Sequence, residues 1–195
     1  IIKIGACLLS VRAMLVGTAA SAGTPAEDVA EISTSACYPL AQGTLTLSSP
    51  ATSAYETEMR KIGLEAGLEQ AALDMLGPAT ALISQSAMAS RKNGAAYIIF
   101  AAQGAVPGCR VFLAAEPDAT AMDAVAGALT ARGWKGFAGM TETRGVATKR
   151  VFLRRDAAGK PYMLNLIGLN GVPSKVQLFT TTVEVPPGVA LPQGF

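Results

Sequence analysis

The sequence contains no histidine. That single absence removes the Ser-His-Asp and Cys-His nucleophile pairs, the imidazole general base and every histidine metal site. Charge is scarce as well, at 15% of residues, and aromatics reach only 6%. No uncharged apolar run approaches the roughly 20 residues that a helix needs to cross a bilayer. The chain also lacks a Gly-x-Ser-x-Gly elbow, a Ser-x-x-Lys helix start, a phosphate-binding glycine loop and an EF-hand pattern, so the commonest histidine-independent chemistries have no motif here. What is abundant is apolar side chain, 50% of 195 residues. A chain of that composition collapses around a core, because disorder requires low hydrophobicity and high net charge.

The formal charge of +2 is carried by Lys3 and Arg12. Both lie in residues 1–22, which combine an early cation, an apolar middle and Ala20-Ser21-Ala22 in the A-x-A pattern of a signal-peptidase site. The expectation is an export signal over 1–22, cleaved after Ala22, in a bacterial envelope protein that is periplasmic or extracellular. A lipid-modified Cys7 is the alternative, disfavoured because most of the apolar run follows that cysteine. The remaining chain is net neutral, which withdraws the electrostatic case for nucleic-acid binding. Its charge is uneven. Residues 23–130 carry five basic and eleven acidic groups, whereas 131–195 carry nine basic and three acidic.

Three cysteines occur, at positions 7, 37 and 109. With Cys7 lost in the leader, Cys37 and Cys109 form an even pair, expected to be a disulfide in an oxidising compartment. The competing reading is a free thiol at Cys109 activated by Arg110.

Along the chain, 23–36 reads as a linker or short helix. Leu45 and Leu47 alternate with threonines, predicting a strand. Tyr55, Met59, Ile62, Ala66, Leu73 and Leu76 recur at helical spacing before Gly77-Pro78, predicting a six-turn helix capped by Ser53 and Glu56. Asn93-Gly94 signals a hairpin, with strands at 97–100 and 109–113. A second helix runs from a cap at Asp118 or Thr120 to Gly133. Strands follow at 137–143, 147–155, 161–169 and 176–185, and a Pro/Gly-rich extended tail at 186–195. Strand runs separated by helices predict an α+β fold, an antiparallel sheet with two main helices on one face, in a single domain over 37–185. The order also suggests two helix-plus-sheet halves, without evident self-similarity in sequence.

The candidate functional residues are basic. Arg150, Arg154 and Arg155 lie in the segment from Arg144 to Lys160, where guanidinium forks suit phosphate or carboxylate. The alternative is an edge strand guarded by charge. Glu58, Glu65, Glu69 and Asp74 read as a solvated helix face. Trp134 and Phe137 read as a plug between helix and sheet. The leading expectation is a non-enzymatic domain that binds an envelope protein or a small apolar or anionic ligand, with no cofactor, no metal and no membrane span. Its rivals are a histidine-independent hydrolase and a structural assembly subunit that donates its tail.

Overall fold

A computed structural model describes residues 24–49, 52–68, 87–90, 96–101, 108–113, 120–169 and 178–195. The expected leader, Leu73, Leu76, Gly77-Pro78, the turn Asn93-Gly94 and the cap Asp118 lie outside the described residues.

The first helical segment, α1 (Pro25–Ile32), begins where a linker was one expectation. Thr24 caps it. The Thr24 hydroxyl accepts from the Glu27 N–H, the Glu27 carboxylate accepts from the Thr24 N–H, and proline occupies the first turn. These are strong start signals. The chain continues through a π-helical stretch, Ser33–Cys37, into α2 (Tyr38–Gln42), and stops at Gly43 with φ 72°. The strand expected around Leu45 and Leu47 is therefore replaced by the end of this helix and an irregular segment. Glu58 holds that segment by accepting from the Ser48 N–H at 2.8 Å and the Ser48 hydroxyl at 2.7 Å.

The helix α3 (Ser53–Lys61) is shorter than its apolar period suggested. Thr52, one residue before the expected cap, accepts from the Tyr55 N–H. Gly63, at φ 75°, ends the helix. The Gly63 N–H reaches the Arg60 carbonyl and the Leu64 N–H reaches the Met59 carbonyl, at 3.1 and 2.9 Å. This is a Schellman closure, with buried Leu64 and Met59 as its apolar contact. The helix α4 (Ala121–Ala131) ends in the same way. Gly133 (φ 86°) donates to Thr130 and Trp134 donates to Leu129, at 3.0 and 3.2 Å, over buried Leu129 and Trp134.

Among the described residues nine strands form one antiparallel sheet: β1 (Glu65–Ala66), β2 (Ala87–Ser90), β3 (Ala96–Ala101), β4 (Gly108–Leu113), β5 (Lys135–Gly136), β6 (Glu142–Arg144), β7 (Ala147–Arg155), β8 (Pro161–Leu169) and β9 (Leu178–Glu184). The order is β1-β2-β3-β4-β9-β8-β7-β5, with β6 also against β7. The strand expected over 137–143 is instead β5, a 3-10 turn at Ala138–Met140, and β6. Strands β7 and β8 have the expected bounds.

That order reads alike from either edge. Each half supplies a helix, a glycine-terminated Schellman turn, a two-residue edge strand and a three-strand meander, and β4 meets β9 at the centre. Tyr55, Met59, Gly63 and Leu64 each stand 70 positions before Val125, Leu129, Gly133 and Trp134. The three apolar positions are buried in both and the glycine is exposed in both.

The helices cover one face of the sheet. Cys109, Val111, Leu113, Leu164, Leu166 and Leu178 point into the main core against Val29, Ile32, Met59 and Leu129. The opposite face carries a smaller cluster of Val151, Leu153 and Val185, onto which Leu191 and Phe195 of the tail fold. The tail is thus folded back rather than extended. It makes two turns, Pro186 to Val189 and Pro192 to Phe195, each closed by a carbonyl-to-amide bond and each with glycine at the third position, Gly188 (φ 84°) and Gly194 (φ 80°). Glycine with positive φ at that position is what a type II turn requires.

Candidate anion-binding cleft

Side chains alternate along β7, so Arg150, Phe152 and Arg154 face the helices while Lys149, Val151, Leu153 and Arg155 face away. The three candidate arginines meet three different surroundings. Arg150 forms an ion pair with Asp123 of α4 at 2.6 Å. The Arg154 guanidinium stacks 4.8 Å from the centre of the Tyr38 ring and donates to the Arg132 carbonyl at 3.2 Å. Arg155 lies 4.5 Å from the centre of the Phe195 ring and donates to the Gly159 oxygen at 2.6 Å and the Phe195 oxygen at 3.0 Å. Arg150 is separate. Arg154 and Arg155, despite their opposite faces, both reach the end of β7 and line one half-open cleft of about 260 Å³ with Gly133, Lys135, Leu153 and Phe195.

Two of those lining residues, Lys135 and Phe195, were not singled out from sequence. Lys135 is placed by the Gly133 turn, which ends α4 and sends the chain into β5 opposite Leu153. Phe195 is placed by the Gly194 turn, which directs the ring against Phe137, edge to face at 5.8 Å. Pro-Gln-Gly-Phe in the tail was the readable signal for that turn.

The cleft is electrostatically distinct. Arg132 pairs with Glu31, Arg144 and Lys149 with Glu142, Arg150 with Asp123, and Lys160 with Glu184. Among the described cations of 131–195, Lys135, Arg154 and Arg155 form no ion pair with an Asp or Glu side chain, and all three line this cleft. Two nearby features oppose them. The carboxyl end of α4 contributes roughly half a negative charge. Asp156 carries a full one, although its Oδ1 accepts from the Ala158 and Lys160 N–H groups at 2.9 and 2.8 Å and is turned into its own loop. Three cations line the cleft against these two features and the Phe195 oxygen that Arg155 meets, so basic groups predominate there.

Behind it sits a ring cluster. Tyr38 makes edge contacts with Trp134 at 5.4 Å and Tyr162 at 5.2 Å, and the Trp134 Nε1–H donates to the Thr34 hydroxyl at 3.0 Å. Burial raises the Tyr38 hydroxyl above its ordinary range, with Arg154 opposing that shift. Burial raises Tyr162 in the same direction. Both phenols are therefore neutral near pH 7. Lys160 is also held protonated above its usual range by its bond to Glu184.

Cys37 and Cys109 are joined, with Cα atoms 5.3 Å apart, so the helical segment is stapled to β4. The thiol reading of Cys109 is thereby removed. The carboxylate series does not share a helix face. Glu58 ties down Ser48 and is held below the usual carboxylate range by those hydrogen bonds, Glu65 lies in β1, and Glu69 and Asp74 fall outside the described residues. No group of three His, Cys, Asp or Glu that could hold a metal occurs among the described residues. No described helix is long and apolar enough to cross a membrane.

No protein-family model matches the chain, and no curated protein or solved structure matches it either.

Proposed function

We propose that this chain is an exported, non-catalytic binding domain of the cell envelope, and that its cleft at the end of β7 takes a small oxyanion, a carboxylate or a phosphate. The observation that carries this reading is charge placement. The three described cations of the second half that form no ion pair with an Asp or Glu side chain line the same cleft. Guanidinium and ammonium groups not paired with an Asp or Glu, beside a buried apolar wall at Leu153, suit an anionic head with an apolar attachment. At about 260 Å³, the space is below the roughly 300–1,000 Å³ of pockets that enclose drug-sized ligands. It suits a headgroup rather than an entire lipid or cofactor. The disulfide supports an oxidising compartment.

Calorimetric titration of the protein with phosphate and, separately, acetate tests the binding reading. The expected result is saturable 1:1 binding of at least one anion that weakens with ionic strength and drops severalfold in Lys135→Gln, an exposed position. Heats that do not saturate, or binding unchanged in Lys135→Gln, would remove this cleft as the site. Export is tested by sequencing the amino terminus of protein from its native cells. A start at Gly23 supports it, and an intact leader on cytoplasmic protein contradicts it.

A further inference from the structure

The tail already places an aromatic ring and an oxygen on the cleft's own arginine. We propose that residues 186–195 are a displaceable internal occupant, and that the external ligand which replaces Phe195 is an aromatic carboxylate. The proposal rests on the anion-binding reading above and adds a ligand class to it.

The geometry is specific to this end of the tail. The Arg155 guanidinium covers the Phe195 ring at 4.5 Å and donates to the Phe195 oxygen at 3.0 Å, so one side chain reads both a π face and an oxygen acceptor. Phe137 meets the same ring edge to face at 5.8 Å. A free arylalkyl carboxylate offers the same pair of features to the same groups and has a second oxygen to offer Lys135 and Arg154, which line the same cleft. Phe195 is itself a wall of that space, so its departure enlarges the site by the volume the ring vacates.

The tail is also built to leave. Its two turns are closed by bonds of 3.3 Å, just beyond the usual N–H···O range. Val189, between its two anchors Leu191 and Val185, is 40% exposed. Phe195 is partly exposed. A tethered occupant competes at an effective concentration on the order of millimolar, so an external ligand binds the intact protein weakly and gains when the latch is removed. One cation–π contact and one edge-to-face contact together correspond to roughly a tenfold change.

The test compares N-acetyl-L-phenylalanine, N-acetyl-L-leucine and phosphate by calorimetry on the full chain and on Phe195→Ala. The expected result is that Phe195→Ala binds N-acetyl-L-phenylalanine about tenfold more tightly than the unaltered protein, with a much smaller gain for N-acetyl-L-leucine and for phosphate. In the unaltered protein, N-acetyl-L-phenylalanine should also accelerate hydrogen exchange at the Phe195 amide, a readout that does not depend on how the variant folds. Equal gains for the leucine and phenylalanine compounds, or an unchanged Phe195 amide at saturation, would overturn the proposal. If phosphate still binds in that case, only the latch fails. If no anion binds either form, the anion-binding reading fails with it.

Discussion

The two halves of the sheet follow one plan and differ in what they put on it. In both, a helix ends in a Schellman closure at glycine, a buried apolar residue follows, and a two-residue strand pairs at the sheet edge. Leu64 and Trp134 occupy matching places and are 2% and 1% exposed. The next residue differs in sign. Glu65 pairs with Ser90 in the first half, and Lys135 pairs with Leu153 in the second. The larger ring of Trp134 also contacts Tyr38 and Thr34, so the second half meets the amino-terminal helical segment through this turn, whereas the first half is joined to it by the Cys37–Cys109 staple on β4. Shared backbone geometry fixes where the edge strand lies. The side chains then decide that, among the described residues, the second edge is a basic cleft closed by a tail.

The largest test of the comparison is the staple. Closing a loop of 72 residues restricts the unfolded chain by about 4 kcal/mol on the chain-entropy account. Urea denaturation of Cys37→Ser/Cys109→Ser should show a loss of that order. A loss below about 1 kcal/mol would mean that the staple contributes little to holding the helical segment on β4. Next, Trp134→Ala should cost about 4 kcal/mol and Leu64→Ala about 3 kcal/mol, because the indole loses more contact area and a hydrogen bond. The reverse order in the same denaturation series would break the claim that the second turn is the stronger anchor.

A smaller effect separates the halves by pH. Burial, with the Glu58 charge adding to it, pushes the Tyr55 hydroxyl up to about 12, whereas its counterpart in α4 is Val125. In the unfolded chain this phenol ionises near pH 10. Its stabilising contribution is therefore complete below pH 10 and is lost as pH rises toward 12. Melting temperatures between pH 9 and 12 should fall less steeply for Tyr55→Phe, by the equivalent of about 2 kcal/mol. Identical slopes would show that Tyr55 is not the titrating group. The smallest effect is expected at Arg150, whose partner Asp123 is 70% exposed. Arg150→Ala should change stability by less than about 1 kcal/mol and leave anion binding as it was, in contrast to Lys135→Gln.

Much of the second half was legible in the residues. Gly145 and Asp156-Ala157-Ala158-Gly159 set off Ala147 to Arg155 and Pro161 to Leu169, and both strands form with those bounds, the second with regular alternation of burial. The first half misled because one signal outweighed another. The apolar period from Tyr55 runs past Gly63, yet the left-handed Gly63 with buried Leu64 ends the helix, as Gly133 with Trp134 does 70 positions later. Reading those two glycine turns against each other would have located the repeat. Thr24-Pro25-Ala26-Glu27 is likewise a capping box that its small, acidic surroundings masked.

For the cleft, the sequence offered Arg154 and Arg155 but also Arg150, because cation density along a strand says nothing about which cations find carboxylates. Asp123 comes to Arg150 from α4, and Glu184 comes to Lys160 from β9. Only folding sorts paired from unpaired. Lys135 and Phe195 were silent for a similar reason, since each is brought to the cleft by a glycine turn from a distant part of the chain.

The account is tested most directly by titrating ¹⁵N-labelled protein with phosphate and following every backbone amide. It predicts saturable shifts at 133–135, 153–155 and Phe195, with none at the matching first-half positions 63–66 and none at the paired cations Arg144 and Lys149. Comparable shifts at Arg144 and Lys149, or none at Lys135 and Arg154, would contradict it.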